Sequence, residues 1–396
     1  MKLVLVLLIL LVLYMVIRPS GYVVPVNVLP TGIQWKDITY GNGYYVAVGD
    51  NSSNGSPNIA YSTDGVNWTP GATLPQGDWT SIVYGNGIFV VGCNNFNAKD
   101  AATWVYWFST TDPKSPLWTP CNKFPIPLAG GNIPGYQCNQ LQYGNGMFRS
   151  VGTLVGTSLI SMQSSDGVNW SFDTNLSFPG TYASIARGVD RHVIVASYMS
   201  GNLPYAACLI DGESTWRLST PNSSMDYAGQ NSRVIYDSTK KLFITNIGFT
   251  SVDGLNWNRP YMLAASDIAT NISGVLVSFQ DQSIIYNNNN SLQFITATGL
   301  YPSVWYRVVC VNNMFIALGN GNMSAYSYDG LHWNLGTVYV DPGNQSCIFT
   351  WNNISRCVHG RRIQQLSIKQ SSHGKGIPCP GNQDSGRVVR CKLKHK

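Results

Sequence analysis

Apolar and polar residues alternate in short stretches along most of this chain, and Gly, Asn and Asp punctuate them. Residues Trp35 to Tyr40 set the pattern. Alternation with period two sends successive side chains to opposite faces, so such stretches predict half-buried strands. Gly41-Asn42-Gly43 follows, at a tight hairpin where φ > 0 is needed and Gly or Asn adopts it cheaply. Tyr44 to Val48 then reads as a small apolar second strand, and a third ends at Ser62. Asp64-Gly65 supplies the next turn, after which Trp68 opens an outer strand.

This four-strand unit recurs. A second copy runs from Trp79 through Tyr84-Gly-Asn-Gly87 to Trp118, and a third holds Tyr143-Gly-Asn-Gly146 and closes with Ser165-Asp-Gly-Val-Asn-Trp170. Later copies decay but close at Trp216, Trp257, Phe294 and Trp333. The closing aromatics stand 50, 52, 46, 41, 37 and 39 residues apart, giving seven units. Four strands per unit of about 40–50 residues is the period of a propeller blade. The expected fold is all-β: a seven-bladed β-propeller of four-stranded blades over 22–340, with a β-solenoid or a row of sandwiches as the alternative. Ring closure predicts one blade that mixes the chain ends. The segment 22–30 resembles the outer strands and would complete the last blade, in competition with 334–340.

The Ser-x-Asp-Gly-x-x-Trp hairpins resemble the Asp boxes of sialidase-like propellers. Combined with Tyr-Gly-Asn-Gly they are similar to repeat proteins of large DNA viruses, phages and bacteria. The resemblance implies a box on the outer hairpin, its Asp capping a turn and its Trp packed between blades. It marks fold rather than activity. Sialidases need an Arg cluster, a Tyr nucleophile paired with Glu, and an Asp acid/base, and other glycosidases need two facing carboxylates. The only glutamate is Glu213, in an outer hairpin, and the arginines from Arg149 to Arg307 are scattered along the sequence. Of five histidines only His192 and His332 fall in the repeats, with His332 expected at the surface. No metal-ligand spacing or phosphate-binding loop is present. The expectation is no catalytic residue, no metal, no cofactor and no small-molecule substrate.

Charge divides the chain. Residues 1–355 hold 15 Lys/Arg against 18 Asp/Glu, a net of −3, whereas residues 356–396 hold 10 against Asp384 alone, a net of +9. The apolar run Met1–Ile17, bounded by Lys2 and Arg18, reads as an N-terminal transmembrane anchor over 1–18, with a signal peptide as the alternative. Either reading delivers the chain to a membrane, extracytoplasmic or in a virion. Nine cysteines fit an oxidising compartment, as do sequons at Asn51, Asn67, Asn169, Asn175, Asn222, Asn271, Asn322, Asn344 and Asn353.

At the C-terminus, Trp351-Asn-Asn-Ile-Ser-Arg-Cys357 with Gly376-Ile-Pro-Cys379 and Arg390-Cys391 resembles a thrombospondin type 1 repeat over 347–393, leaving 394–396 as a tail. Two of the six usual cysteine positions lack one, and Ser367 stands at one of these. By resemblance Cys357 pairs with Cys379, and Cys347 substitutes as the partner of Cys391. Cys121 and Cys138, bracketing a Pro/Gly-rich loop, are the remaining candidate pair. Arg356, Arg361, Arg362, Lys369, Lys375, Arg387, Arg390, Lys392, Lys394 and Lys396 would present a basic stripe to a polyanion or a partner. The alternative is that Arg361 and Arg362 stack on Trp351 and the lysines form a solvated tail.

Taken together these features predict a non-enzymatic, membrane-anchored surface or structural protein, as a virion membrane or capsid-associated component. Its partners would be the membrane through 1–18 and coat or envelope proteins or surface glycans, with no nucleic acid. A secreted or cellular adhesion or glycan-binding propeller is the second reading, and a degenerate sialidase-like hydrolase the third.

Overall fold

The structure is a computed structural model. It describes residues 29–335 except 31–32, 52–56, 97–106, 122–135, 155–157, 198–205, 220–232, 261–262, 264, 281–282, 288–294, 300–303 and 320–322, together with the backbone of three strands between 347 and 367. The segment 1–18, the sequons at Asn222, Asn322, Asn344 and Asn353, and the closing Phe294 lie outside the described residues. No helix among the described residues is long and apolar enough to cross a membrane.

The protein is an all-β propeller of four-stranded antiparallel blades. Each blade is built from consecutive strands in simple up-and-down order. The inner strands are Gln34–Gly41, Gly77–Gly85, Tyr136–Gly144, Thr181–Arg187, Val234–Asp237, Ile268–Thr270 and Trp305–Val311. Each packs against the inner strand of the next unit, and Trp305–Val311 packs back on Gln34–Gly41 to close the ring.

Two expectations are corrected. Six units, not seven, are complete four-stranded blades, because the unit at 234–251 has three strands. There Asn258 makes only an isolated bridge with Thr250. Arg259 then turns back, its Nε donating to the Ile247 carbonyl and its guanidinium lying over Phe249. Second, the last blade does not take its outer strand from the N-terminal end, since Asn334–Leu335 occupies that place. Leu29 and Ile33 instead pack into the core between the first and last blades.

Local chemistry explains the hairpins. Asn42 (φ 48°) and Gly43 (φ 79°) both take positive φ, as a two-residue turn matched to strand twist requires. Asn86-Gly87 and Asn145-Gly146 repeat it. In the box of unit 1, Ser62 Oγ accepts from the Gly65 amide, and Asp64 Oδ1 accepts from Val66 and Asn67. The same bonds form at Asp166, Asp253 and Asp329. The indole of the closing Trp donates to the Gly carbonyl of its own box in these four units. Its ring fills the core against the preceding unit, as Trp68 does beside Met314 and Ile316.

Antiparallel order sorts the connections onto two faces. The hairpin turns and the boxes share one face, which we call the turn face. The longer connections, including 97–106, 122–135 and 219–233, join strand ends on the opposite, loop-bearing face. Both ends of the ring, before Gln34 and after Leu335, also open onto the loop-bearing face. Farther on, Cys347–Thr350, Ile354–His359 and Arg362–Ser367 form a separate antiparallel sheet in which Cys347 faces Cys357 in register.

Candidate functional site

The innermost strands share a position four residues before the hairpin glycine or its equivalent: Asp37, Ser81, Gln140, Ser184, Arg233, Asp267 and Arg307. Beside this position the inner strands of units 1, 2, 3, 4 and 7 carry a bulge, for instance between Trp35 and Asp37. A bulge breaks the ladder locally and re-aims side chains.

These seven side chains are linked in a closed circuit, one joint per pair of neighbouring units. At five joints the side chain accepts from a backbone amide of the next unit. Asp37 Oδ2 takes Ile82 N (3.2 Å), Ser81 Oγ takes Leu141 N (3.0 Å) and Gln140 Oε1 takes Ile185 N (3.1 Å). Ser184 Oγ takes Val234 N (3.1 Å) and Asp267 Oδ2 takes Val308 N (2.9 Å). At the other two the direction reverses and arginine donates: Arg233 Nε to Asp267 Oδ1 at 2.9 Å, and Arg307 Nη2 to Asp37 Oδ1 at 2.6 Å. The second of these joins the last unit to the first.

Charge in this circuit is balanced, two carboxylates against two guanidiniums. Asp37 and Asp267 are buried. Burial pushes Asp37 up to about 6 against the pull of Arg233 and the hydrogen bonds from Ile82, Ser81 and Ile38. Asp267 is raised by burial in the same way, against Arg233 and the Val308 amide. Unpaired, each of these ions would carry a large desolvation penalty, so the arrangement is a set of mutually dependent partners. Apart from the Ile38 amide on Asp37 and the Ile268 amide on Asp267, the side-chain bonds of this axial position join one unit to another, and the group acts as a structural collar.

Sequence reasoning missed the collar by reading the arginines as scattered. Arg233 and Arg307 meet through Asp267, Arg307 Nη1 lying 3.4 Å from Asp267 Oδ2. The available signal was the residue two after the opening Trp: Asp37 after Trp35, Ser81 after Trp79 and Arg307 after Trp305.

A second charged group lies between units 3 and 4. Arg149 donates to Asp173 (2.8 Å), which also accepts from the Trp216 indole (2.7 Å), so this closing Trp leaves the bonding pattern of the other boxes. Arg187 pairs with Asp211 and its Nη1 lies 3.4 Å from His192 Nδ1. Burial, with Arg149 and Arg187 nearby, holds His192 down at about 3, so it is neutral. Glu213 pairs with Arg217 on the outer hairpin, away from the axis. His332 is exposed as expected, but it takes the place of Asn67, Asn169 and Asn256, bonding the box carboxylate of Asp329 at 2.6 Å. Among the described residues no cluster of His, Cys, Asp and Glu could hold a metal ion.

Several site expectations change. Asn51 is fully buried, its Nδ2 donating to Leu74 O and its Oδ1 accepting from Gly77 N, so no glycan fits there. Asn271 is buried too, its Oδ1 accepting from Ser273 and Val275. Asn67 and Asn169 donate Nδ2 to their box carboxylates at 2.7 Å. Their sequons arise because the box motif ends in Asn-Trp and a Thr or Ser follows. Asn175 lies in the strand Ser171–Pro179.

Cys121 and Cys138 do not form the expected disulfide; both are free and buried, as is Cys208, and Cys310 is free. Cys138 lies beside Trp107 and Cys121 beside Trp170, two indoles stacked 4.6 Å apart, so each thiol belongs to a different partner. Burial raises Cys121 to about 12 and Cys138 to about 11, which keeps both as inert thiols. The basic residues Arg361, Lys369, Lys375, Arg387, Arg390, Lys392, Lys394 and Lys396, with Cys379 and Cys391, lie outside the described residues. Arg356 and Arg362 sit on the strands of the C-terminal sheet, where only the backbone is described.

No family model and no curated protein matches this chain. Solved propeller structures do. A structure described as YCF48 bound to D1 peptide is similar at a TM-score of 0.54 and 16% identity, over 75% of this chain and 94% of that one. A puromycin hydrolase is similar at 0.54 and 10% identity, over 84% of this chain and 61% of that one. At these identities the likeness establishes the β-propeller fold. The same fold therefore serves an enzyme and a peptide-carrying protein.

Proposed function

We propose that this chain is a non-catalytic interaction platform, tethered to a membrane by its N-terminal apolar segment, that receives a protein partner on the turn face. The seventh repeat, in this reading, is the three-stranded unit at 234–251, a blade that has lost its outer strand.

The observation that carries the proposal is a concentration of exposed apolar side chains. Among the described residues, five of the eight exposed large apolar side chains sit at tips on the turn face: Leu117, Val189, Val252, Ile272 and Tyr328. Val189 is 72%, Val252 69%, Ile272 74% and Tyr328 64% exposed. Equivalent tips in units 1 and 3 carry Asn42, Thr63, Asn145 and Ser165, so nothing in the turn geometry demands an aliphatic residue. Apolar tips gathered on one face mark a contact surface. Both ends of the ring, at Gln34 and Leu335, open onto the opposite face, so a tether attached there points these tips away from the membrane. The engagement of the axial charges in the collar supports the non-catalytic part of the reading.

The partner class is a protein: a coat or envelope protein if the chain resides in a large DNA virus particle. The D1 peptide carried by one of the fold relatives is a ligand of the kind assigned, a protein segment rather than a glycan. The test is amine cross-linking in the native membrane or particle. Links to partner proteins are expected through Lys114, Lys240 and Lys241 on the turn face, and lost in the full-length double variant Val189→Asp, Ile272→Asp. Links that run only from the loop-bearing face would reverse the assignment.

A further inference from the structure

We propose that the partner presents an acidic segment with apolar side chains, and that this segment seats on a crescent formed by the inner hairpins of units 4, 5 and 6, with a carboxylate on Lys241. The proposal rests on the turn-face reading above and narrows it to three of the seven units.

The inner hairpins join the first two strands of each unit and surround the axis on the turn face, and their tips fall into two groups. Units 7, 1, 2 and 3, consecutive around the closed ring, carry Asn312-Asn313, Asn42-Gly43, Asn86-Gly87 and Asn145-Gly146. Asn and Gly accept positive φ cheaply, so these tips are what the turns themselves require. Units 4, 5 and 6 depart from that pattern together, with Val189, Lys240-Lys241 and Ile272 at their tips. Backbone and short polar groups close these three turns without the tip side chains. The Gly188 amide donates to Arg191 O, Asp237 Oδ1 accepts from the Thr239 and Lys240 amides, and Asn271 Oδ1 accepts from the Ser273 and Val275 amides. Val189 and Ile272 therefore point into solvent for no reason internal to the fold.

Contacts between units make these tips one surface. Arg191 Nη1 donates to Asp253 O at 3.2 Å, which sets the hairpin of Val189 beside the outer tip of unit 5, where Val252 is exposed. Thr239 Oγ1 donates to Ile272 O at 3.2 Å and joins the inner tips of units 5 and 6.

Lys241 sets the charge preference. Among the described residues other than Gly, positive φ is taken by Asn in every case but Lys241, at φ 55°. A long side chain where the backbone favours Asn or Gly costs the fold strain, and strain kept at one position points to a task for that side chain. Lys241 is exposed and makes no ion pair among the described residues. The carboxylates around it are engaged: Asp190 by Arg191, Asp237 by Lys240, and Asp253 by the amides of its own box. The crescent thus offers apolar contacts and an uncommitted cation, and the complementary ligand is apolar and acidic. A short segment of a partner protein supplies both.

The test is selection from a displayed library of random peptides of about twelve residues on the full-length chain, followed by affinities of the selected peptides for its variants. Enriched peptides should be rich in Leu, Ile or Phe and in Asp or Glu, and salt should weaken their binding. The double variant Val189→Asp, Ile272→Asp should weaken it at least about tenfold. Lys241→Asn should weaken it about three- to fivefold while leaving the urea midpoint unchanged or raised, a split that a purely structural lysine would not give. The control variant Leu117→Asp, Tyr328→Asp, on outer tips of the same face, should bind as the unmodified chain does. Peptides lost only in that control would overturn the crescent and leave the turn-face reading standing. No enrichment, or peptides insensitive to all of these variants, would overturn both. Basic or uncharged peptides would overturn the acidic partner, as would a Lys241→Asn variant that binds equally or unfolds more easily.

Discussion

Units 1 and 3 and the joint between units 3 and 4 solve one packing problem in two ways. In units 1 and 3 the closing Trp donates to the carbonyl of its own box, and the box Asp holds its turn locally. In unit 4 the turn is one residue longer and the Trp216 indole reaches Asp173 of the preceding unit, which also holds Arg149. A local solution makes each unit self-sufficient, whereas the second makes two units depend on each other through buried charge. The axial collar also ties unit to unit, through a side chain on a neighbouring backbone amide at five joints and an Arg–Asp pair at two.

That contrast is broken most severely at the collar. Asp267→Ala strands Arg233, Arg307 and the Val308 amide together. Loss of one partner from a buried charged group costs about 3–5 kcal/mol, and urea unfolding should show a loss of that order.

Acidity separates the two kinds of carboxylate. Asp37 is raised to about 6 in the fold, above its unfolded value of 3.8, so its ionisation weighs on the folded state and stability rises as pH falls through 6 towards 4. The box carboxylates behave oppositely. Desolvation would raise Asp64, but the bonds from Asn67, Val66 and Ser62 outweigh it and hold Asp64 at about 2; Asp166, Asp253 and Asp329 sit at about 2 likewise. Their contribution is present above 3.8 and lost as pH falls towards 2. Buried His192, lowered to about 3 from 6.5, opposes Asp37 over this range, its contribution being lost as pH falls from 6.5 towards 3. The Asp37 effect is therefore read as a difference: between pH 6 and 4 the urea midpoint of the unmodified chain should fall less steeply than that of Asp37→Ala, and equal slopes would mean that the collar does not titrate this way.

Smaller effects sharpen the comparison. Asn51→Ala should cost about 1–3 kcal/mol, because Leu74 O and Gly77 N lose a buried partner. Asp166→Ala in a self-contained box should cost about 1 kcal/mol, as for loss of a capping side chain. His332→Asn restores the residue of the other boxes at an exposed turn and should change stability by less than about 0.5 kcal/mol.

Much of this was legible in the residues. Alternating strands, Asn-Gly turns and the Ser-x-Asp-Gly box are local signals, and they placed the propeller and most of its units correctly. What failed was non-local. The loss of a strand at 258 depends on Arg259 folding back on Phe249, which no local pattern announces. The last blade closes with 334–335, and the first and last blades meet through Arg307 with Asp37 and the Tyr306 hydroxyl with Trp35 O (2.8 Å), contacts between residues 270 and 271 positions apart. Cys121 and Cys138 looked like a pair because they bracket a loop, yet their neighbours come from a stacked indole pair on two units. Asn51 matched a sequon, but its burial depends on contacts 23 and 26 residues away.

The central claim is that the axial position is a closed structural collar whose last joint, Arg307 with Asp37, holds the ring shut. A double-mutant cycle of Arg307→Met and Asp37→Ala, which removes the acceptors of Ser81, Ile82 and Arg307, read by urea unfolding of the full-length chain, tests it most directly. Each single variant should be strongly destabilised, and the double variant should recover at least about 1.5 kcal/mol relative to the sum of the singles, as coupled buried charges do. Effects that add to within about 0.5 kcal/mol would contradict the claim, because the two groups would then be independent and the ring held shut by apolar packing alone.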